Sequence, residues 1–256
     1  MKQTSLLFTL ALIFIFSFVP SHAQDTTKPF RIMVMQDVIH PNKAAEYEKA
    51  QKEMNDFIIK NNMGVSWNAF RTDDYTYSYV ISFSHFADLD SLFKMWADKM
   101  KSANQQEMTQ DMQAFTGTID HQNSIILQKS KYSYKAKNPY LKQDEVKFMH
   151  FDYFEIIPGK EHEAMSLVSD FQKLYEKNNI SVSYNVWSVE FGDHSSTIVV
   201  TTGAKNAVDY YTMDKKVSEQ LEKEGHDLET KFRSCVNKVH RLNGNYLKDL
   251  SIGKSG

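Results

Sequence analysis

The chain is poor in cysteine and has no excess of charge of either sign. Its only cysteine is Cys235, and 30 basic residues stand against 32 acidic ones, for a formal net charge of −2. A single cysteine excludes an internal disulfide, so the fold must be held together by its core. A nearly neutral chain lacks the excess of positive charge that is typical of nucleic-acid-binding proteins, and we expect no nucleic-acid partner.

The familiar short motifs of catalysis are also missing. The sequence has no HExxH, no pair of cysteines and no His-x-His, and five histidines are scattered over predicted strand ends, turns and helix tails: His85, His121, His194, His226 and His240. We therefore predict no metal site. It also has no GxGxxG, no P-loop and no serine elbow, which leaves no nucleotide site or serine nucleophile to propose from motifs.

Long apolar runs are absent except at the N-terminus. The run from Leu6 to Val19 follows a short positive start and precedes Ser21-His22-Ala23, a small-x-small cleavage site. The run is shorter than the ~20 residues that cross a bilayer. Residues 1–23 are therefore predicted to be a signal peptide, and the mature protein to be exported, periplasmic or extracellular, with no membrane span.

What the sequence does contain is an internal repeat. Moving many residues of the first half forward by 117 positions gives the matching residue of the second half; for example, Pro41 matches Pro158, Asn68 matches Asn185 and Ile81 matches Ile198. This register predicts two consecutive copies of one fold, with no insertion in either copy relative to the other. The predicted domains are a first repeat at 28–128, a linker at 129–145, a second repeat at 146–248 and a tail at 249–256.

Each copy has the order strand–helix–strand–strand–helix–strand. The first helix of each copy carries one apolar stripe at helical spacing, and the strands alternate apolar and polar residues. This order predicts an α+β fold, with two tandem ferredoxin-like βαββαβ repeats. Because one such sheet leaves a face bare, we expect the repeats to pack sheet to sheet as an intramolecular pseudodimeric barrel, and the protein to be a monomer.

The doubled pattern resembles the dimeric α+β-barrel superfamily in a fused, two-repeat form. The resemblance covers about residues 30–246 and includes the helix openings His40-Pro41-Asn42-Lys43 and Ile157-Pro158-Gly159-Lys160. Members of that superfamily include cofactor-free monooxygenases, chlorite-dismutase-like haem proteins and exported proteins of unknown activity. The resemblance implies the barrel and leaves haem as an option, but no local motif matches the haem ligands of those relatives, so none is carried over.

One candidate site comes from strand alternation. Val65, Trp67 and Ala69 suit the face under the helices, which turns six other residues toward the partner repeat: Ser66, Asn68, Phe70, Ser183, Asn185 and Trp187. Aromatic rings together with a few polar groups are typical of a small-ligand pocket. The alternative is that the serines and asparagines bind neighbouring backbone or water.

A second candidate is the pair His150 and Asp152, which lie on one face of a predicted strand. A carboxylate beside an imidazole fixes its tautomer and raises its pKa, as in a catalytic acid–base pair. The alternative is a buried, satisfied pair with a structural role. In the first copy the same positions are Met33 and Met35, so any chemistry here would belong to the second repeat alone.

These observations support three functional hypotheses. The first is binding of a small, mainly apolar ligand in a cavity between the repeats, without catalysis. The alternative is a monooxygenase-like or haem-dependent enzyme that uses His150 and Asp152. A structural or interaction module with no ligand is the third.

Overall fold

A computed structural model describes residues 29–192 and 196–253. The predicted signal peptide at 1–23, the first residue of the predicted first repeat, part of the turn after β6 and the end of the predicted tail lie outside the described residues. Within these two ranges, none of the helices combines the length and apolar character needed to cross a membrane.

The secondary structure follows the predicted order in both halves. The strands are β1 Arg31–Ile39, β2 Asn68–Thr72, β3 Thr76–Phe83, β4 Ile119–Lys129, β5 Phe148–Ile156, β6 Asn185–Phe191, β7 Thr197–Ala204 and β8 Val236–Tyr246. The helices are α1 Ala44–Lys60, α2 Phe86–Ser102, α3 Gln105–Ala114, α4 Glu161–Lys177 and α5 Ala207–Arg233. Just beyond α1 and α4, Asn62 and Asn179 adopt left-handed φ angles of 48° and 49°, which asparagine tolerates better than most residues.

The strands close into one antiparallel barrel in the order β1-β3-β2-β8-β5-β7-β6-β4. Each repeat supplies four neighbouring strands, and the seams between repeats are β2 with β8 and β4 with β6. Closure leaves no unpaired strand edge. The α+β fold of two tandem ferredoxin-like repeats joined as an intramolecular barrel is thereby confirmed.

Two large cores lie between the sheet and the helices, one in each repeat. The first contains Tyr47, Phe57, Trp67 and Ile81, and the second contains Ala164, Leu174, Tyr184 and Val217. A third, smaller cluster fills the inside of the barrel. Strand alternation therefore sends one set of side chains under the helices and the other into the barrel.

The repeat is less regular than the sequence register predicts. In the first half Met33 pairs with Ile81, whereas in the second His150 pairs with Thr202. Ile81 therefore corresponds to Thr202 and not to Ile198, because the turn between β6 and β7 is longer than the turn between β2 and β3. The original register returns at β4 and β8, after a helical segment that is interrupted in both halves, between α2 and α3 in the first and at Glu222 of α5 in the second.

The predicted linker and tail both pack against the body of the protein. Tyr134 of the linker is buried and pairs with Tyr184, and Ile252 of the tail pairs in the same way with Trp67. The side chain of Leu250 is only 2% exposed and belongs to the core of the first repeat. The linker is therefore more than a solvated connector, because it covers the second repeat, and the tail covers the first.

Candidate functional site

The inside of the barrel is filled by the protein's own side chains. Trp187 lies there in a buried cluster with Ile32, Leu127 and Val199, and its indole N–H donates to the Thr201 hydroxyl at 3.1 Å. Phe70 packs against two further rings, Phe151 at 6.5 Å and Tyr246 at 5.5 Å between centroids. These aromatic residues therefore act as packing where the sequence predicted a ligand pocket.

The polar members of the predicted inner-face site have other surroundings. The Ser183 hydroxyl accepts a hydrogen bond from the backbone N–H of Ala136 at 3.0 Å. Ser66 lies against Gly253, where an added Cβ would come within 2.6 Å of the Ser66 Cβ. Asn68 and Asn185 stand at the first positions of β2 and β6. The inter-repeat ligand site remains a prediction that this packing does not support.

His150 and Asp152 do come together, on the outer face of β5 beneath α5. The His150 Nε2 atom lies 3.4 Å from Asp152 Oδ2, and its Nδ1 lies 2.8 Å from Asn243 Oδ1. The imidazole is nearly fully buried and stacks on the Tyr210 ring at 4.3 Å. Arg241 Nε donates to the other Asp152 oxygen at 2.8 Å. Both ring nitrogens of His150 therefore face oxygen acceptors.

This arrangement favours the charged forms of both partners. Burial opposes a charge on His150, but the hydrogen bonds to Asp152 and Asn243 outweigh it and raise the pKa of the imidazole. Burial likewise opposes a charge on Asp152, but contacts with His150 and Arg241 outweigh it and lower the pKa of the carboxyl. An imidazolium that donates from both nitrogens fits this geometry.

A small cavity lies beside this pair, between the sheet of the second repeat and α5. Its volume is about 40 Å³, which is room for about three water molecules. Four tyrosines and one carboxylate dominate the polar part of its lining: Tyr140, Tyr175, Tyr184, Tyr210 and Asp214. We call it the tyrosine cavity.

Two groups of the tyrosine cavity lack the partners that such groups usually have. The Tyr184 hydroxyl is buried without a hydrogen-bond partner among the described residues, and the residue is only 8% exposed. Asp214, which is exposed on α5, has neither a hydrogen bond nor an ion pair to any described residue. Burial of its carboxyl and the charge of Asp152 raise the pKa of Asp214. A bound polar group could satisfy both.

In the first repeat, apolar residues occupy the positions that match the lining of the tyrosine cavity. In the register given by strand pairing and helix starts, Trp67 replaces Tyr184, Ile81 replaces Thr202, and Trp96 replaces Val217. Phe93 replaces Asp214, and Met33 replaces His150. Of these, Trp67, Ile81, Trp96 and Met33 belong to or pack against one continuous apolar core. Polar character under the second helix is therefore particular to the second repeat.

Part of this difference between the two repeats is visible in the sequence. Tyr184 and Tyr210 lie on helix-facing stripes, and a stripe of that spacing most often indicates packing. Asp214 was not singled out, because the uniform 117-residue register does not match it with Phe93. Only the strand pairing reveals that a carboxylate has replaced an aromatic residue at that position.

A haem does not fit these residues. His150 is the histidine of this interface, and neither of its ring nitrogens is free to bind iron. The cavity of about 40 Å³ is also far below the roughly 300–1,000 Å³ of pockets for drug-sized ligands. The described residues likewise contain no group of three or more His, Cys, Asp or Glu arranged to hold a metal ion.

Comparison with known proteins identifies relatives in structure alone. No protein-family model matches the chain, and no curated protein matches it in sequence. An anthrone oxidase-like protein shares the fold with a TM-score of 0.57 and 9% identity, over 87% of this chain and 92% of that one. A protein of Fusobacterium nucleatum provisionally described as a monooxygenase matches with a TM-score of 0.51 and 15% identity, over 86% of this chain and 93% of that one.

A protein of Lactobacillus acidophilus with the same provisional description matches at a TM-score of 0.51 and 12% identity, over 86% of this chain and 94% of that one. Identities this low establish the fold and leave the activity open. The closed barrel of two ferredoxin-like repeats and these matches agree with the resemblance found in the sequence. The chain has the fold of the dimeric α+β-barrel superfamily, in its fused two-repeat form.

Proposed function

We propose that this protein binds a small ligand in the tyrosine cavity of its second repeat. The observation that carries the proposal is the cavity lined in part by Tyr184, whose buried hydroxyl has no partner among the described residues. Leaving a buried hydroxyl unpaired costs about 1–3 kcal/mol. A bound ligand that accepts or donates a hydrogen bond there would recover that free energy.

The difference between the two repeats supports the same proposal. In the first repeat, Trp67 and Trp96 occupy the matching positions and belong to or pack against an apolar core. In the second repeat Val217 and Tyr184 leave the space open. Small side chains at one position and hydroxyls at others are what a ligand site requires.

The tyrosine cavity holds the head of a ligand, and the rest of the ligand lies at its mouth. A space for about three water molecules is too small for a drug-sized molecule. Beside the mouth, α5 exposes Asp214 and also Tyr211, which is 52% exposed. An apolar tail could lie along this surface while its polar head reaches Tyr184.

The test is to fill the cavity and to compare an equal change on the solvent side of the same helix. Val217→Phe adds a ring inside the tyrosine cavity, and Val208→Phe adds the same ring outside it. Binding of a mixed library of neutral, anionic and cationic fragments is followed by ligand-observed NMR. We expect fragments that bind the wild type and Val208→Phe but not Val217→Phe. If every fragment binds Val217→Phe as well as the wild type, the site is not there.

A second candidate function is oxygenation of a bound carbon acid. Two structural neighbours are provisionally described as monooxygenases and a third as anthrone oxidase-like, and they bear on this chain through the fold alone. The observation in its favour is Asp214, a carboxylate with a raised pKa at the mouth of the cavity. Such a group can accept a proton from a substrate. Oxygen uptake with anthrone, present for the wild type and lost in Asp214→Asn, would support it.

We also propose that the mature protein is exported and monomeric. Export depends on the predicted signal peptide, and N-terminal sequencing of a periplasmic or secreted fraction should find Gln24 first. The prediction of a monomer rests on the barrel, because one chain supplies all eight of its strands. Sedimentation equilibrium should give the mass of a single chain.

A further inference from the structure

We infer that the ligand head in the tyrosine cavity is an organic ammonium ion, an amine nitrogen carrying small alkyl groups. The inference rests on the proposed function, since it names the class of ligand for the same cavity. It follows from the two kinds of groups that meet there, aromatic rings and an unpaired carboxylate. A small cation with apolar substituents is the ligand that both groups bind.

The aromatic walls are the first argument. Tyr140, Tyr175, Tyr184 and Tyr210 all line the tyrosine cavity. The rings of Tyr175 and Tyr184 stand at 87° to each other with centroids 5.0 Å apart, so they form two adjoining walls. Tyr210 is backed by His150 on one side. Aromatic rings around a small space attract an ammonium ion through their electron-rich faces, and aromatic cages bind methylated ammonium groups in this way.

The carboxylate is the second argument. Asp152, the other acid of this interface, is already matched by Arg241 at 2.8 Å and by His150 at 3.4 Å. Asp214 makes no direct ion pair among the described residues, although it lies beside the same cavity and the charges of His150 and Arg241 act on it. A bound ammonium group would supply the missing opposite charge. An anionic ligand would instead meet the Asp214 carboxylate, and a neutral one would leave Asp214 without a direct ion pair.

Size gives the third argument. The cavity has room for about three water molecules, which suits a compact head of a few heavy atoms and not a ring system. The Tyr184 hydroxyl at the inner end can accept a hydrogen bond from a protonated amine, or satisfy a bound water beside a fully methylated one. The alkyl substituents would lie against Val182 and Val217, which also line the space.

The experiment compares two probes of equal shape. Choline carries a trimethylammonium head, and 3,3-dimethylbutan-1-ol carries the uncharged tert-butyl counterpart. Affinity for each is measured by isothermal titration calorimetry on the wild type, Asp214→Asn, Val217→Phe and Asp227→Asn. The last variant makes the same charge change on an exposed position of α5 away from the cavity and is the matched control.

We expect choline to bind the wild type about tenfold more tightly than the neutral probe, as an aromatic cage predicts. Asp214→Asn should lower the affinity for choline about tenfold and leave that for the neutral probe nearly unchanged. Val217→Phe should abolish binding of choline, and Asp227→Asn should match the wild type. Circular dichroism and the Tm of each variant confirm that it is folded.

Four results would overturn the inference. Equal affinity for the two probes would mean that charge plays no part, and choline binding that Asp214→Asn leaves intact would mean that the carboxylate plays none. Failure of both probes, while other fragments still bind in a manner sensitive to Val217→Phe, would refute the ammonium ligand and leave the proposed function standing. If no fragment binds at all, the proposed function fails together with the inference.

Discussion

Tyr184 of the second repeat and Tyr134 of the linker are buried neighbours whose hydroxyls have opposite surroundings. Their ring centroids lie 5.9 Å apart, and both residues are less than 10% exposed. Tyr134 donates to the backbone carbonyl of Ile180 at 2.7 Å, whereas Tyr184 finds no partner among the described residues. The same deletion of one oxygen atom should therefore act in opposite directions at the two sites.

Tyr184→Phe should stabilise the free protein, and Tyr134→Phe should destabilise it. Removing an unpaired buried hydroxyl should raise the free energy of unfolding by about 1 kcal/mol, and removing a paired one should lower it by about the same amount. Urea unfolding of the two variants and the wild type measures both effects. If Tyr184→Phe destabilises the protein as much as Tyr134→Phe does, the Tyr184 hydroxyl already has a hydrogen-bond partner in the free protein.

His150 makes stability depend on pH in a definite direction. The pKa of an unfolded histidine is about 6.5, and hydrogen bonds to Asp152 and Asn243 raise the pKa of His150 above that value against the effect of burial. A raised pKa means that the folded state holds the proton more tightly. The stabilisation is therefore complete below about pH 6.5 and is lost as the pH rises through the folded pKa.

The expected result is a difference in unfolding free energy between the wild type and His150→Gln that shrinks as the pH rises from 6 to 9. Chemical denaturation at several pH values measures it, and the exposed substitution His162→Gln on α4 serves as the control. A difference that grows with pH would mean that burial dominates and that the neutral imidazole is the stable form.

At the scale of elements, α5 is the part that separates the two repeats. It covers the tyrosine cavity with Tyr210, Met213, Asp214 and Val217 and is interrupted at Glu222, where φ is 45° and ψ is −134°. The apolar stripe of this helix was predictable from sequence, because it depends on local spacing. The kink was not, because position 222 carries a glutamate and neither a glycine nor a proline to mark it.

Relieving the kink should stabilise the protein. A residue other than glycine with positive φ costs about 1–3 kcal/mol, so Glu222→Gly should raise the free energy of unfolding by about 1 kcal/mol. Ser218→Gly, in the regular part of the same helix, should lower it by about 0.5 kcal/mol because glycine is a poor helix former. Thermal and urea unfolding of both variants measure this. A loss of stability in both would show that Glu222 is not strained.

At the scale of the whole molecule, the two repeats depend on each other and on the segments that follow them. The barrel is closed by seams between repeats, and the C-terminal segment returns to the first repeat. There the carbonyl of Leu250 accepts hydrogen bonds from Asn55 at 3.0 Å and from the Trp67 indole at 2.9 Å. We therefore expect the described barrel to unfold as one unit.

Leu250→Ala tests this dependence. Removing a buried leucine side chain should lower the free energy of unfolding by about 3 kcal/mol, and the transition should remain single when followed by both fluorescence and circular dichroism. The control is Ile59→Ala, at a position that is 61% exposed, which should cost less than about 1 kcal/mol. Two separate transitions in Leu250→Ala would show that the repeats unfold independently.

The sequence by itself determined the fold, because a doubled pattern of strand alternation and helical stripes leaves few ways to cover two bare sheet faces. It also placed His150 beside Asp152, since residues two apart on a strand share a face. Only the tertiary structure decided where an enclosed space remains. That depends on which side chains from distant segments fill the gap between sheet and helix, and Tyr140, Tyr184 and Asp214 meet there across three such segments.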